Sequence, residues 1–592
     1  MKRNDLSRRE WLASTAACGL AISGGSTLAQ ELALSAKHDR HVTKGMIFLH
    51  HADPRFLEGL RRHGLLVSHG LRLLNTGLEK HQFGEKWAGS IALATAQSSG
   101  DLYYIDRICG GMPYQSLEGI ESIARELKDD PRFLGFQVHE WGNSPIHDYE
   151  RIHRLLLDND ESFDREHFAQ YEGRVRSPYF SGGDYGTYQK IFEPLKSLND
   201  VDRYLEGFFR KKVEQTYGQV VSVTGYRQLH HTALRLGAKN VMPEIGNQVP
   251  LTALQIAFAR GAAREYDRPF GVYYEPWGGL PFGCSCALDF SPWFPDTKHL
   301  KKVMDGYKIG PEFGSSRSLQ RRLLFFAWLS GASYWAEEWG AENYFGNWED
   351  YPLTEYGRIV KDFLAVSSQY TKPKPVVPAA IVMPPKTFGV DISYVAGQSN
   401  KLYRIADPDA FHKKLRAFAS DLFASQPTQA GGDADNLTPS PWIGCFDVLS
   451  AEAPKSLLDE YGLLVYFDRE QADKSPASED RMLVYDGEKQ DAQRCIQSVE
   501  HLLPYRVKGR VGVAHARTDG RYLLGIFNNL GITKTKAEER ADPKATQTAV
   551  VHGPPTGAVF LEGKQYTTRT NKNSIEIRLP AGEVAVLSFP AP

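Results

Sequence analysis

The chain predicts an α/β fold: a (β/α)8 TIM barrel, then a smaller α/β domain of flavodoxin-like kind, then a C-terminal β-sandwich. Three observations point there. Between residues 45 and 370 short apolar runs alternate with segments of helical period, the mark of parallel β/α units. After a proline-punctuated stretch, Thr371-Lys-Pro-Lys-Pro-Val-Val-Pro378, a second and shorter α/β pattern begins. From about Gly509 the pattern changes again, to short β runs parted by turn signals.

The elements follow in order. Residues 1–29 read as a twin-arginine-type signal peptide. Ser7-Arg8-Arg9-Glu10-Trp11-Leu12 carries the arginine pair, an Ala/Gly-rich stretch follows, and Thr27-Leu28-Ala29 offers a small-x-small cleavage site. The mature chain is therefore expected in the periplasm or outside the cell. Eight barrel strands are expected at Met46–His50, Leu65–Ser68, Ile91–Ala96, Phe133–Glu140, Val220–Thr224, Val241–Glu244, Phe270–Glu275 and Ala332–Glu338. Helical periods fall between most of them; Leu117, Ile120, Ile123, Ala124 and Leu127 repeat at helical spacing. A polar stretch at about 145–200 reads as an enlarged loop of a barrel spanning 45–370. Residues 371–378 read as a linker. The small α/β domain, 379–505, is built on Ala379–Met383, a helix near 410–424, Cys445–Leu449 and Leu463–Phe467, with 425–441 a loop. The sandwich, 509–592, is built on Tyr522–Asn528, Ala558–Leu561, Ser574–Leu579 and Glu583–Phe589.

The totals exclude several function classes. A net charge of −1 over 592 residues provides no field for nucleic acid or an anionic membrane. Beyond the signal no segment approaches the ~18–20 apolar residues that span a bilayer. No Walker loop, no G-x-G-x-x-G after a strand and no G-x-S-x-G elbow is present. Cys284-x-Cys286 has no second Cys/His pair at zinc spacing nearby, so no metal and no cofactor is expected. Five cysteines follow the signal, and in an oxidising compartment Cys109 is expected to pair with Cys284 or Cys286, leaving the other of those two with Cys445 and Cys495.

Two stretches share one grammar: Asp130-Pro-Arg-Phe-Leu-Gly-Phe-Gln-Val-His-Glu140-Trp-Gly-Asn143 and Arg268-Pro-Phe-Gly-Val-Tyr-Tyr-Glu275-Pro-Trp-Gly-Gly279. Each is an apolar run that stops at a glutamate followed within two residues by Trp-Gly. A carboxylate at the C-terminal tip of a barrel strand stands where barrel enzymes keep their chemistry. Two of them, flanked by aromatics, supply what cleavage of a glycosidic bond requires: a proton donor, a nucleophile and flat surfaces for sugar rings. Glu140 and Glu275 are the candidates for catalysis. Trp141, Trp277, Trp335 and Trp339 are candidate sugar platforms; His139, Asn143, Tyr274, Glu244, Glu337, Glu338 and His50 are further candidate binding residues. The bland rival for each glutamate is a helix cap or an ion pair.

"DPRFLGFQVHEWGN" resembles the fourth barrel strand of clan A glycoside hydrolases, whose acid/base glutamate stands there. "RPFGVYYEPWGG", then a helix with Arg321 and Trp328, then "GASYWAEEW", is similar to the seventh and eighth strands of family 42 β-galactosidases. The resemblance implies a retaining mechanism with Glu140 as acid/base and Glu275 as nucleophile, and a β-linked hexoside such as a galactoside within an oligo- or polysaccharide. It also implies self-association through the middle domain, as a trimer or dimer. The chain departs from the clan pattern at His139, where asparagine usually binds the sugar 2-hydroxyl. A tyrosine that hydrogen-bonds the nucleophile is expected among Tyr226, Tyr273 and Tyr274. Four alternatives stay open: a strand count one short, which makes Glu337 or Glu338 the nucleophile; a non-catalytic carbohydrate-binding barrel; an inverting hydrolase; and a metal-dependent hydrolase on His50, His51 and Asp53.

Overall fold

A computed structural model describes residues 46–52, 54–74, 101–106, 123–142, 197–246, 249–275, 316–337, 344–346, 348–385, 389–397, 408–423, 437–535, 538–553 and 556–591. Eight parallel strands close into a barrel. They are β1 (Ile47–His51), β2 (His69–Leu74), β3 (Tyr103–Asp106), β4 (Phe133–His139), β5 (Val220–Thr224), β6 (Asn240–Gly246), β7 (Gly271–Glu275) and β8 (Tyr334–Glu337). Each pairs with the next, and β8 returns to β1 through Phe48 and Trp335.

Alternation along the strands separates two cores. Ile47, Leu49, Tyr104, Val221, Val223, Met242, Tyr273, Tyr334 and Ala336 fill the barrel interior. Their neighbours Phe48, Phe136, Val138, Val272, Tyr274 and Trp335 belong to the outer core, under the helices.

Two strands differ from expectation. The second is His69–Leu74, not Leu65–Ser68, and the third is Tyr103–Asp106; residues 91–96 lie outside the described residues. Leu65 is buried, but Ser68 turns into the left-handed region (φ 49°), so the ladder starts only after it. The more apolar run was the approach to the strand.

The helices carry the expected signals. α1 (Leu198–Gln215) opens on a reciprocal Ser197/Asp200 capping box and buries Val201, Leu205, Phe208 and Phe209 along one face. α2 (Thr252–Glu265) is buried nearly all round, because the barrel lies on one side and a second sheet on the other. That sheet has parallel strands β9 (Ala379–Val382), β10 (Phe446–Leu449), β11 (Leu463–Tyr466) and β12 (Met482–Val484), in the order β10-β9-β11-β12. This 2-1-3-4 arrangement is the flavodoxin-like order. The contact with α2 is close enough to require glycine: a Cβ on Gly261 would stand 1.9 Å from the carbonyl oxygen of Val448. Beside it the buried Asp447 takes Arg260 Nε at 2.6 Å, Arg264 Nη1 at 2.8 Å and Tyr461 Oη at 2.7 Å. Burial raises the Asp447 carboxyl, yet the two guanidinium charges outweigh it and hold the group below its ordinary range.

Two antiparallel sheets of five and four strands make the C-terminal sandwich, with Val513, Leu524, Ile526, Val551, Ile577 and Leu587 between them. The stretch read as a linker is part of this fold. Lys374–Pro375 is an edge strand paired with Ala516 and Arg517, a place where proline's missing N–H costs nothing. Helix α3 (Arg317–Leu329), capped by Ser316, ties barrel to sandwich, since Arg321 pairs with Glu562 and Glu583. Among the described residues no helix is long and apolar enough to cross a membrane.

Candidate active site

Glu140 follows directly on β4, and Glu275 closes β7. The count of strands thus sets them at the fourth and seventh tips. Glu140 stands in the left-handed region, φ 46°, which a residue with a Cβ adopts at a cost of about 1–2 kcal/mol. Trp141 holds it there. Its indole, fully buried, packs 4.3 Å from the Phe209 ring of α1 and donates from Nε1 to Ser222 Oγ at 2.8 Å. The Glu140 side chain remains 34% exposed. Glu275 is buried, and its strand neighbour Gly246 makes room for it: a Cβ there would lie 2.4 Å from the Glu275 carbonyl oxygen and 2.9 Å from its Cβ.

A third carboxylate joins them. Glu244, inward on β6, is 2% exposed and lies 3.6 Å from His139 Nε2. The same nitrogen is 3.9 Å from Glu140. These are ion-pair rather than hydrogen-bond distances. The imidazole is held on its other sides by Gln137, whose amide nitrogen is 3.0 Å from Nδ1, and by the edge-on ring of Tyr273 at 5.2 Å. One nitrogen or oxygen from each of His139, Glu140 and Glu244 lies within 4.8 Å of the others. That spacing would suit a cation.

Tyr226, just past β5, feels the charge of all three carboxylates. Burial first, then the charges of Glu275, Glu244, Glu140 and Asp391, raise its phenol far above the ordinary value. The hydroxyl therefore stays protonated and can donate to a carboxylate. Of the three tyrosines considered, Tyr226 has this position. Tyr273 lies inside the barrel beneath it, and Tyr274 faces outward.

Two residues that sequence reasoning missed complete the rim. Arg72 on β2 and Asp106 on β3 form a buried ion pair at 2.8 Å, and the guanidinium lies 6.0 Å over the Tyr273 ring. Asp106 ends the run Tyr-Tyr-Ile-Asp, the same grammar that singled out the glutamates; assigning strands two and three to neighbouring segments hid both residues.

Several candidates stand elsewhere. Trp141 and Trp335, read as sugar platforms, are packing residues: each is buried, and Trp335 lies 5.2 Å from Tyr274 under the helices. Tyr274, read as a binder, shares that outward layer. His50 is also outward, edge-on to Phe56 and Tyr344, and burial, with His69 second, lowers its imidazole to about 3. Glu337 turns away from the interior: its Oε1 accepts from Trp335 Nε1 at 2.9 Å, Tyr344 Oη at 3.1 Å and Gln320 Nε2 at 3.3 Å. Burial raises its carboxyl to about 7, against those hydrogen bonds and the Arg72 charge. The physical reason is the same for those on the strands: a strand tip has two sides, and only alternate residues see the mouth. Asn143, Trp277, Glu338, Trp339, Asp53, Cys109, Cys284 and Cys286 lie outside the described residues, as does the signal stretch. His230 and His231, on a short helix, are both buried. Cys445 and Cys495 are buried free thiols.

No protein-family model matches the chain, and no curated protein matches it. Solved structures are similar to it in layout. A GH42 β-galactosidase from G. stearothermophilus covers 92% of this chain and 98% of its own, at 10% identity and TM-score 0.49. The β-galactosidase from Rahnella sp. R3 covers the same shares at 9% identity and TM-score 0.42. A GH5_18 structure from Streptomyces cattleya in complex with GlcNAc covers 72% of this chain and 99% of its own, at 11% identity and TM-score 0.35. At these identities and scores the likeness is one of layout alone.

Proposed function

We propose that the chain is an exported glycoside hydrolase that cleaves an oligo- or polysaccharide, a β-linked hexoside such as a galactoside, with retention. The observation that supports the reading is the placing of Glu140 and Glu275 at the fourth and seventh strand tips of a closed barrel, with Glu244 clustered beside His139 and Glu140. In the first half-reaction Glu140 gives its proton to the glycosidic oxygen as the carbon–oxygen bond breaks, and the Glu275 carboxylate bonds to the anomeric carbon. In the second, Glu140 takes a proton from water as that water displaces Glu275. The chemistry asks one carboxyl to stay protonated and the other ionised. The two environments differ: Glu140 is partly exposed beside His139 and Glu244, while Glu275 is buried and has the largest effect of any carboxylate charge on the Tyr226 phenol.

A screen of aryl glycosides, with Glu140→Gln and Glu275→Gln as controls, tests this. At least one glycoside should be turned over by the wild type, with a loss of about a thousandfold or more in Glu275→Gln and an unchanged circular dichroism spectrum. Full activity in a folded Glu275→Gln variant would sink the mechanism. Recovery of the signal-less chain from the periplasm or medium tests export, and sizing by light scattering tests a dimer or trimer.

A further inference from the structure

We propose that the small α/β domain holds part of the catalytic mouth in place: its segment Gly389–Gly397 fixes Tyr226–Leu229, and Leu229 in turn fixes the turn Glu140-Trp141-Gly142. This rests on the hydrolase reading, in which Glu140 is the acid, and deepens it by making Gly389, Asp391 and Leu229 positioning residues.

Residues 389–397 follow strand β9 of the small domain, yet they reach the barrel. Val390 and Asp391 pair antiparallel with Gln228 and Arg227, just beyond β5. The contact runs one residue further, since Ile392 N donates to the Tyr226 carbonyl oxygen at 2.7 Å. Asp391 reinforces it. One carboxylate oxygen caps the short helix Ile392–Val395, accepting from Ser393 N at 3.0 Å, and the other lies 3.9 Å from Arg227 Nη2. The segment is anchored in its own domain as well: Arg416, on the helix Ala410–Phe423, lies 4.9 Å over the Tyr394 ring. Val390, Asp391, Ile392, Arg227, Gln228 and Leu229 are all buried.

Two glycines show how tightly the contact is passed on. A Cβ on Gly389 would stand 2.2 Å from Leu229 Cδ2. A Cβ on Gly142 would stand 2.9 Å from Leu229 Cδ1 and 3.0 Å from Arg227 Cβ. Leu229 is thus wedged between the small domain and the residue two places after Glu140. That matters because Glu140 stands in the left-handed region, and strained backbone persists only where its surroundings over-determine it. Trp141 supplies one wall, through Phe209 and Ser222. Leu229, backed by Gly389, supplies another.

The test separates acid assistance from the rest of catalysis. A phenyl glycoside needs the Glu140 proton for its leaving group; a dinitrophenyl glycoside does not. Gly389→Ala, which presses on Leu229, should lower kcat/KM about tenfold or more for the phenyl glycoside of the preferred sugar and leave the dinitrophenyl glycoside within about twofold. In a Leu229→Ala background the same change should have no effect, because the wedge is gone. Asp391→Asn, which keeps the cap and removes the charge facing Arg227, should act in the same direction and carries the test if the glycine variant does not fold. No loss with either substrate, equal losses with both, or an undiminished effect of Gly389→Ala without Leu229 overturns the proposal. A second readout needs no activity. In the full chain labelled with fluorotryptophan, the Trp141 fluorine resonance, identified by its loss in Trp141→Phe, should move in Gly389→Ala and stay when that change is made on Leu229→Ala. A wild type that cleaves no glycoside refutes the hydrolase reading; a Trp141 resonance that moves then leaves the positioning standing, and one that stays overturns it too.

Discussion

Replacing Glu337 by glutamine should stabilise the protein in alkali and change little in acid. The wild-type carboxyl, fully buried, titrates at about 7 against an ordinary value of 4.5. A group whose folded value is raised keeps its proton in the folded state while the unfolded chain has lost it. Stability therefore falls as pH climbs from about 4.5 to about 7 and stays low above. The shift, 7 − 4.5, is 2.5 units; at about 1.4 kcal/mol per unit it costs about 3 kcal/mol at pH 8. Glutamine keeps the acceptor that Trp335, Tyr344 and Gln320 use and has no charge to bury. Urea unfolding followed by tryptophan fluorescence should show the variant about 3 kcal/mol more stable than wild type at pH 8 and within about 1 kcal/mol at pH 5. An equal difference at both pH values would show that Glu337 does not titrate in this window, and the account of its burial would fail.

Two further changes are expected to read out cleanly. Asp447→Ala leaves Arg260 and Arg264 without their carboxylate and should cost about 3–5 kcal/mol in the same unfolding assay. Because Asp447 is held below its ordinary range, that cost should be full above about pH 5 and shrink as pH falls below it. Tyr226→Phe should lower kcat about ten- to a hundredfold with KM little changed and no loss of stability, which steady-state kinetics on the best glycoside would check.

Much of this molecule was legible because strand tips have a recognisable grammar. Phe133–Glu140 and Phe270–Glu275 read correctly from one rule, an apolar run ended by a carboxylate. The rule failed where burial did not need apolar residues. His69–Leu74 carries Arg72 inside the barrel, neutralised by Asp106 on the neighbouring strand but 34 residues away in sequence, and no local pattern announces such a pair. Sidedness was the other gap. Trp335 and Glu337 share a face of β8 that looks to the helices, and composition does not say which face that is until the register to β1 is known. Thr371–Pro378 was misjudged for a related reason: proline looked like punctuation, where an edge strand tolerates it equally well.

The seam between α2 and the small sheet bears on how the chain can be cut. A truncation ending near residue 370 would keep every barrel strand, yet it would strip the cover from the Gly261 side of α2 and leave the Arg260 and Arg264 guanidinium groups without Asp447. The helix so exposed connects the strand bearing Glu244 to the strand bearing Glu275. The first 370 residues are thus no free-standing module, and a library or crystallisation campaign built on them would begin from a wounded protein.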